Sequence, residues 1–449
     1  MQSALKRSRG DYAEIRVEFT SSSWLNFRGP ELDNIGVNKS VGGIARVLVK
    51  GGWGIATFND LSDLEMRVEQ AYDCARLVGK ETSQLAEVEP AVDDVPAPMD
   101  RDFRGIPLDE KKRLMEEYNN IILKHHDKIQ TTSVGYSDRF REVFYANTNG
   151  TLIRQEQPDC SAYLSATARE GDNTQRGFEG VASSQGFQVV EGLHSRAEMA
   201  AQRAVDLLSA PKVKGGKYTV VLNQRLAGVF AHEAFGHLSE ADSVHENPKL
   251  RELMVLGKRF GSDILTIGDD GSVEGLRGTH KYDDEGVRTR RNYLIKDGIL
   301  VGRLHSRETA AKLGEQPTGN ARAMSWNFEP IVRMTNTFIE PGDVSFEEMI
   351  ADIDEGIYAL DMFGGQTMVE LFTFSAAYAY MIRKGKIAEM VRDVTLSGNV
   401  FDTLLNVEAV GKEFQWSQAG GCGKGGQNGL PVTFGSGPLR IRNVVVGGA

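Results

Sequence analysis

Cysteine is scarce in this chain: 449 residues carry only Cys74, Cys160 and Cys422. Thiols that few, that far apart and odd in number do not frame a disulfide-stapled fold. Long hydrophobic runs are missing too. No stretch approaches the ~18 apolar residues that span a bilayer, and the polar, basic residues 1–10 lead into no apolar segment of the secretory kind. A reducing, cytoplasmic compartment without membrane contact is the expectation. Positive charge is in deficit, since 52 Lys and Arg face 62 Asp and Glu and leave a net charge of −10. Such a chain repels a phosphate backbone unless it carries a local basic patch. The clusters Lys6-Arg7-Ser8-Arg9 and Arg288-Thr289-Arg290-Arg291 are short and read as solvated surface, so nucleic acid is not an expected partner.

What is present is an ordinary globular composition, 40% hydrophobic and 25% charged, long enough for two or three folding units. The 49 glycines exceed the average usage of about 7% and favour tight turns, hence hairpins over helices. A first unit, residues 1–85, strings short strands between turns. Arg46-Val47-Leu48-Val49-Lys50 and Trp53-Gly54-Ile55-Ala56 flank the turn Gly51-Gly52. Ser62 and Glu65 have capping-box spacing ahead of a helix whose apolar face would hold Leu64, Val68, Cys74 and Leu77, which makes Cys74 a buried small hydrophobe.

Residues 86–107, with Pro90, Pro96, Pro98 and Pro107 among acidic residues, read as a linker. A second subpart, 108–210, opens with a helix from 109 to about 126. It continues with a hairpin at Asn149-Gly150 and a helix capped by Ser195 and Glu198 that stops before Pro211. Residues 1–210 thus form an N-terminal portion, and 211–449 a C-terminal domain. In the latter, Tyr218-Thr219-Val220-Val221-Leu222 is a strand. Hairpins are expected at Asp297-Gly298 and Lys384-Gly385, and a capped helix at Ser345 and Glu348.

The chemistry concentrates after that strand. Asn223 can cap a helix with Leu226, Val229, Phe230 and Ala234 inward, and His232, Glu233 and His237 ride on it. Zinc peptidases of the usual kind space two histidines four apart, on one side of a helix. Here the spacing is five, which sets the imidazoles roughly 140° apart on a regular helix. For both to reach one ion the helix must bulge by one residue or unwind around Phe235, Gly236 and His237. Two satisfied core histidines are the plain alternative. Glu233, placed on the buried side near Leu226 and Phe230, would be costly there as an unpaired carboxylate, and a metal-bound water would partner it.

A third ligand could come from Glu240, Asp242, His245, the Asp283-Asp284-Glu285 run or Cys422. Cys422 lies in Gly420-Gly421-Cys422-Gly423-Lys424-Gly425-Gly426, with little bulk around the thiol. Zinc favours thiolate, and Lys424 would favour the anion; a buried inert thiol is the other reading. The same glycines mimic a dinucleotide fingerprint, but no acidic residue follows them and no βαβ pattern surrounds them.

These blocks resemble the TldD/PmbA family, in its metal-bearing TldD branch. The likeness covers His232-Glu233-Ala234-Phe235-Gly236-His237, Tyr282-Asp283-Asp284-Glu285-Gly286, Pro317-Thr318-Gly319-Asn320, Arg333-Met334-Thr335-Asn336-Thr337, Gly356-Ile357-Tyr358 and the glycine loop around Cys422. It implies an α+β fold, with an α/β N-terminal portion and a mainly antiparallel-sheet C-terminal metallopeptidase domain. It further implies Zn2+ on His232, His237 and Cys422, Glu233 as catalytic base, and unfolded peptides as substrates lying along a sheet edge. A PmbA/TldE-like partner subunit or a homodimer is implied as well. An oxyanion donor is expected, with His280, Tyr282 and Arg322 as candidates beside structural roles. The acidic run 283–285 is either support for a ligand imidazole or a solvated loop. Two competing readings stand beside the peptidase. A non-catalytic partner or scaffold subunit would have lost the four key side chains, which are present. A DNA-associated regulator, prompted by the family's older label, lacks a basic stripe.

Overall fold

The protein is described by a computed structural model over residues 1–78, 82–368, 370–417 and 420–447. Its fold class is α+β, as expected. Seven strands of the N-terminal portion share one sheet: β1 (Tyr12–Arg28), β2 (Glu31–Val49), β3 (Gly52–Phe58), β4 (Val92–Val95), β5 (Ile129–Asn147), β6 (Leu152–Glu170) and β7 (Asn173–Ser183). The order is β3-β2-β1-β5-β6, with β4 and β7 sharing the outer edge of β6. Neighbours are antiparallel except β4 against β6. The turns expected from the glycines are real: Gly51 at φ 84° and Gly150 at φ 100° occupy the left-handed region that closes these hairpins cheaply. The proline-rich stretch 86–107 runs along the sheet and contributes β4 to it.

Strand β1 explains how this sheet is used. Ala13, Ile15 and Val17 alternate with Glu14, Arg16 and Glu18, a pattern that ordinarily means one dry and one wet face. Both faces are buried here. The apolar one packs under α1 (Gln2–Lys6) and α2 (Leu64–Leu77), while farther along Leu25 and Phe27 meet α3 (Leu108–Lys124) and α4 (His194–Ser209). The charged face turns to the C-terminal residues. The inward stripe of α2 is Val68, Ala71 and Ala75, so Cys74 is exposed, contrary to expectation, and Leu77 is 86% exposed. The caps shift as well. Asp63 rather than Ser62 caps α2, and α4 starts at His194 without a side-chain cap.

In the C-terminal residues, β8 (Gly216–Leu222) pairs with Glu355–Met368 and with Leu439–Gly447. The latter pairs with Thr395–Asn399, which pairs with Leu371–Arg383, which returns to Glu355–Met368. The five strands therefore close into a ring, which pairs their edges except along residues 362–367, paired on one side only. A second sheet runs Ile299–Leu300, Arg291–Lys296, Ile267–Asp270, Asn336–Ile339, Thr433–Ser436 and Gln415–Trp416. Between ring and sheet lies α5 (Gln224–Ala231). Phe230 packs on Phe372 and Phe374 of the ring. On its other side Gly228 sits so close to Phe434 that a Cβ would meet that side chain at 2.9 Å. Among the described residues no helix is long and apolar enough to cross a membrane.

Candidate metal centre

The site starts from the cap. Asn223 accepts the Leu226 N–H at 2.9 Å and donates to Asp361 at 3.1 Å, which fixes where α5 begins. Eight residues later the helix widens into a π-helical turn, His232–Gly236, and then tightens into a short 3₁₀ turn, His237–Ser239. This is the one-residue bulge the five-residue spacing demands. It brings the two imidazoles to 5.1 Å between ring centres, at 78° to each other. Gly236 contributes by its size, not by an unusual conformation. Its backbone is ordinary helix, but a Cβ there would lie 2.0 Å from the Met334 sulfur.

Cys422 arrives on the strand Gly421–Lys424, hairpinned to Gln427–Pro431. The fully buried Arg333 ties that hairpin down, donating to the carbonyls of Cys422 at 2.8 Å and Gln427 at 3.2 Å. The sulfur stands 3.4 Å from His237 Nε2, and donor atoms of His232, His237 and Cys422 all lie within 4.8 Å of one another. A tetrahedral zinc with bonds of about 2.0–2.3 Å asks for donors roughly 3.3–3.7 Å apart, so the three are nearly in place.

Each ring is oriented through its other nitrogen. His237 Nδ1 meets Glu240 at 2.9 Å, and Lys424 backs that carboxylate at 3.0 Å. His232 Nδ1 lies 3.4 Å from the Thr337 hydroxyl, which donates to the fully buried Asp269 at 3.1 Å. A hydroxyl committed to a carboxylate is an acceptor toward the ring, so Nδ1 carries the proton and Nε2 is left bare. That Nε2 is buried without a hydrogen-bond partner, a state costing about 1–3 kcal/mol unless another atom takes it. A metal satisfies it, and the donor set fits one.

The electrostatics pair a thiolate with a protonated His237, whose proton a metal displaces on binding. Burial pushes the Cys422 thiol up, but His232 and His237 outweigh it and hold it at about 4. Burial pulls His237 down, and Cys422 and Glu240 reverse that to about 10. An anionic sulfur is the form that binds metal.

Most of the chain matches family models described as PmbA/TldA metallopeptidase: domain 1 over 13–75, the central domain over 101–208 and the C-terminal domain over 215–448. It belongs to the PmbA/TldD metallopeptidase family. A Synechocystis metalloprotease is 47% identical across 98% of this chain and 96% of its own. A zinc metalloprotease TldD homolog of Saccharolobus solfataricus is 34% identical over 72% of each. The crystal structure of TldE from Thermococcus kodakarensis shares the fold, with a TM-score of 0.78 over 100% of both chains at 18% identity.

Several residues of this PmbA/TldD metallopeptidase stand elsewhere than expected. Glu233 is half-buried, with no hydrogen bond or ion pair among the described residues, and it faces two open cavities rather than the apolar core. Glu240 and Asp242 serve His237 and Lys424. Lys424 thereby acts on Glu240, not on the thiolate. His245 sits on a short helix outside the cluster.

The acidic run is neither solvated nor near a ligand imidazole. Asp284 faces Arg16 at 3.8 Å and Arg141 at 4.0 Å, and Glu285 faces Arg46 at 3.1 Å, all buried. The three oxyanion candidates are committed elsewhere: His280 to the carbonyls of Gly278 and Gly319, Tyr282 to Asp93, Arg322 to the carbonyls of Met334 and Pro431. Of the basic clusters, Arg7 and Arg9 pair with Glu65 and Glu69 on α2, and Arg291 with Asp270. The functional roles of Thr337, Asp269 and Arg333 carry no spacing signal, because a hydroxyl, a carboxylate and a guanidinium so far from the histidines in sequence form no local pattern with them.

Proposed function

We propose that this metallopeptidase hydrolyses unfolded peptides with zinc held by His232, His237 and Cys422, and with Glu233 as general base. The observation that carries it is the bare, buried Nε2 of His232 converging with His237 and Cys422 beside an unpartnered carboxylate. The name of the Saccharolobus relative supports zinc over other metals, as does the pairing of thiolate with imidazole. Bound zinc supplies Lewis acidity, polarising the scissile carbonyl and making water easier to deprotonate. Glu233 takes the proton of the attacking water and returns it to the leaving amine. Glu240 and Thr337 keep both imidazoles in the tautomer that offers Nε2.

Substrate shape follows from free strand edges. Among the described residues, Gly421–Lys424 pairs only with Gln427–Pro431, and residues 362–367 pair on one side only. Both stretches border the cavities that Glu233 faces. An extended main chain can pair with such edges, whereas a folded one cannot offer its backbone. The fold shared with TldE supports a partner of that kind, or a second copy of this chain, and the free thiols support a cytoplasmic setting.

Metal analysis together with peptide digestion tests this. About one zinc per chain is expected, with cleavage of an unfolded peptide lost by ~10²-fold or more in Glu233→Gln while the metal is retained. Undiminished cleavage in that variant would remove Glu233 from the mechanism.

A further inference from the structure

Glu233 stands on the wall between two cavities, one mixed and one mainly apolar, and the strand carrying Cys422 separates them. Gly423 and Lys424 border the one of about 470 Å³, together with Glu240, Ser243, Gln366 and Thr367. That space is mixed, since Leu238 and Leu250 line it as well. Gly421 borders the other, about 290 Å³, whose walls are Tyr163, Phe178, Val229, Met362 and Phe434. We propose that this second cavity is a side-chain pocket selecting a bulky apolar residue, aromatic or long aliphatic, beside the scissile peptide bond; this rests on the peptidase reading above.

Among the described residues, four separate parts of the fold supply its apolar walls, which argues against a surface accident. Tyr163 and Phe178 come from β6 and β7 and stack at 6.5 Å between ring centres. Val229 comes from α5 and Met362 from the ring strand. Phe434 comes from the second sheet and lies edge-on to the His232 imidazole at 4.8 Å, so the apolar wall reaches the metal ligands themselves. A side chain in this space would lie directly beside the reacting carbonyl or amine.

The charged groups at its rim do not change its character. Arg225 is already engaged by Glu179 at 3.6 Å and Asp361 at 3.5 Å, which leaves it no free charge for an acidic substrate. Glu233 is reserved for chemistry and would repel an acidic side chain. The volume accepts a phenyl or isobutyl group and leaves a glycine or a small polar residue without contacts. Main-chain pairing then supplies affinity for any extended peptide, and this pocket selects where along it the cut falls.

The test uses pairs of quenched fluorescent peptides differing at one position beside the cleaved bond, Phe or Leu against Gly or Glu. Cleavage sites in a random-sequence peptide library are mapped alongside. The expected result is one fixed subsite occupied by bulky apolar residues, with kcat/KM for Phe at least about tenfold above Gly. Phe178→Ala should bring that ratio down to about threefold or less, and Phe178→Leu should keep most of it. A purely structural effect would lower both rates together and leave the ratio unchanged.

In Glu233→Gln protein, where turnover is blocked, fluorescence anisotropy should show the labelled Phe peptide binding more tightly than the Gly peptide. That difference should shrink when Met362→Lys is added. Cleavage at bonds flanked at random, a preference for charged flanks, or an unchanged Phe-to-Gly ratio in Phe178→Ala overturns the pocket while leaving the peptidase standing. Absence of any cleavage counts against the peptidase itself, and the anisotropy comparison then still decides the pocket.

Discussion

At the scale of single residues, the decisive group is a ring nitrogen with nothing to bind. His232 is 1% exposed, and the Thr337 hydroxyl at 3.4 Å, itself donating to Asp269, fixes which nitrogen is bare. Removing that acceptor frees the ring to rotate or change tautomer. Thr337→Val should lower metal affinity about 10–100-fold, read by competition with a chelator, while the metal-free protein melts close to its usual temperature. Unchanged affinity would make Thr337 packing only. His232, Glu233 and His237 were legible because local spacing exposes them. Its glycine loop makes Cys422 one candidate among several, and only the resemblance singles it out, since a thiol 185 positions from His237 leaves no local pattern. Glu233 was placed on the wrong side because helix periodicity alone cannot tell a core-facing position from one that lines a cleft. Lys424 was paired with its sequence neighbour, whereas its ammonium reaches Glu240, Asp242 and the Val332 carbonyl.

At the scale of elements, the π-helical turn His232–Gly236 is the device that converts an awkward spacing into a donor pair. Its need was legible from arithmetic on the helix, because five residues overshoot one face. The role of Gly236 was not, because the Met334 sulfur that excludes a Cβ there comes from a distant loop. Gly236→Ala should therefore destabilise the protein by about 1–3 kcal/mol through overpacking, seen in denaturant unfolding, and should lower metal retention with it. A neutral result would mean that Met334 yields without cost. The α2 cap and the exposure of Cys74 were misread for a shared reason: Ser62, Asp63 and Glu65 all have capping chemistry, and the inward stripe depends on where the helix starts.

At the scale of the whole molecule, two portions meet through buried charge. The alternating strand β1 and the run Asp283-Asp284-Glu285 each look solvated when read alone, and burial arises only because each supplies the other's counter-ions. Burial raises the Asp284 carboxyl, and Arg16 and Arg141 outweigh it, so it stays below its ordinary 3.8. A lowered pKa in the folded state means stability that is complete above about pH 4 and lost as pH falls below that value. Asp284→Asn should cost about 3–5 kcal/mol at pH 7, since it leaves buried guanidinium groups short of a partner. The gap from the unaltered protein should narrow as pH falls below about 4 in urea unfolding. Asp283 has the opposite sign. Burial and the neighbouring Glu285 raise it well above 3.8, so its proton belongs to the folded state and its contribution is largest in acid. A gap independent of pH would show that Asp284 is not ionised in the clamp.

The central claim is that sulfur and imidazole from opposite ends of the C-terminal residues bind one ion, and cobalt substitution addresses it most directly. With Co2+ in place of the native metal, the protein should show a thiolate-to-cobalt charge-transfer band in the near ultraviolet and visible bands of four-coordinate intensity. The charge-transfer band should vanish in Cys422→Ser. A band that persists in Cys422→Ser, or a cobalt protein without any thiolate band, would contradict the account.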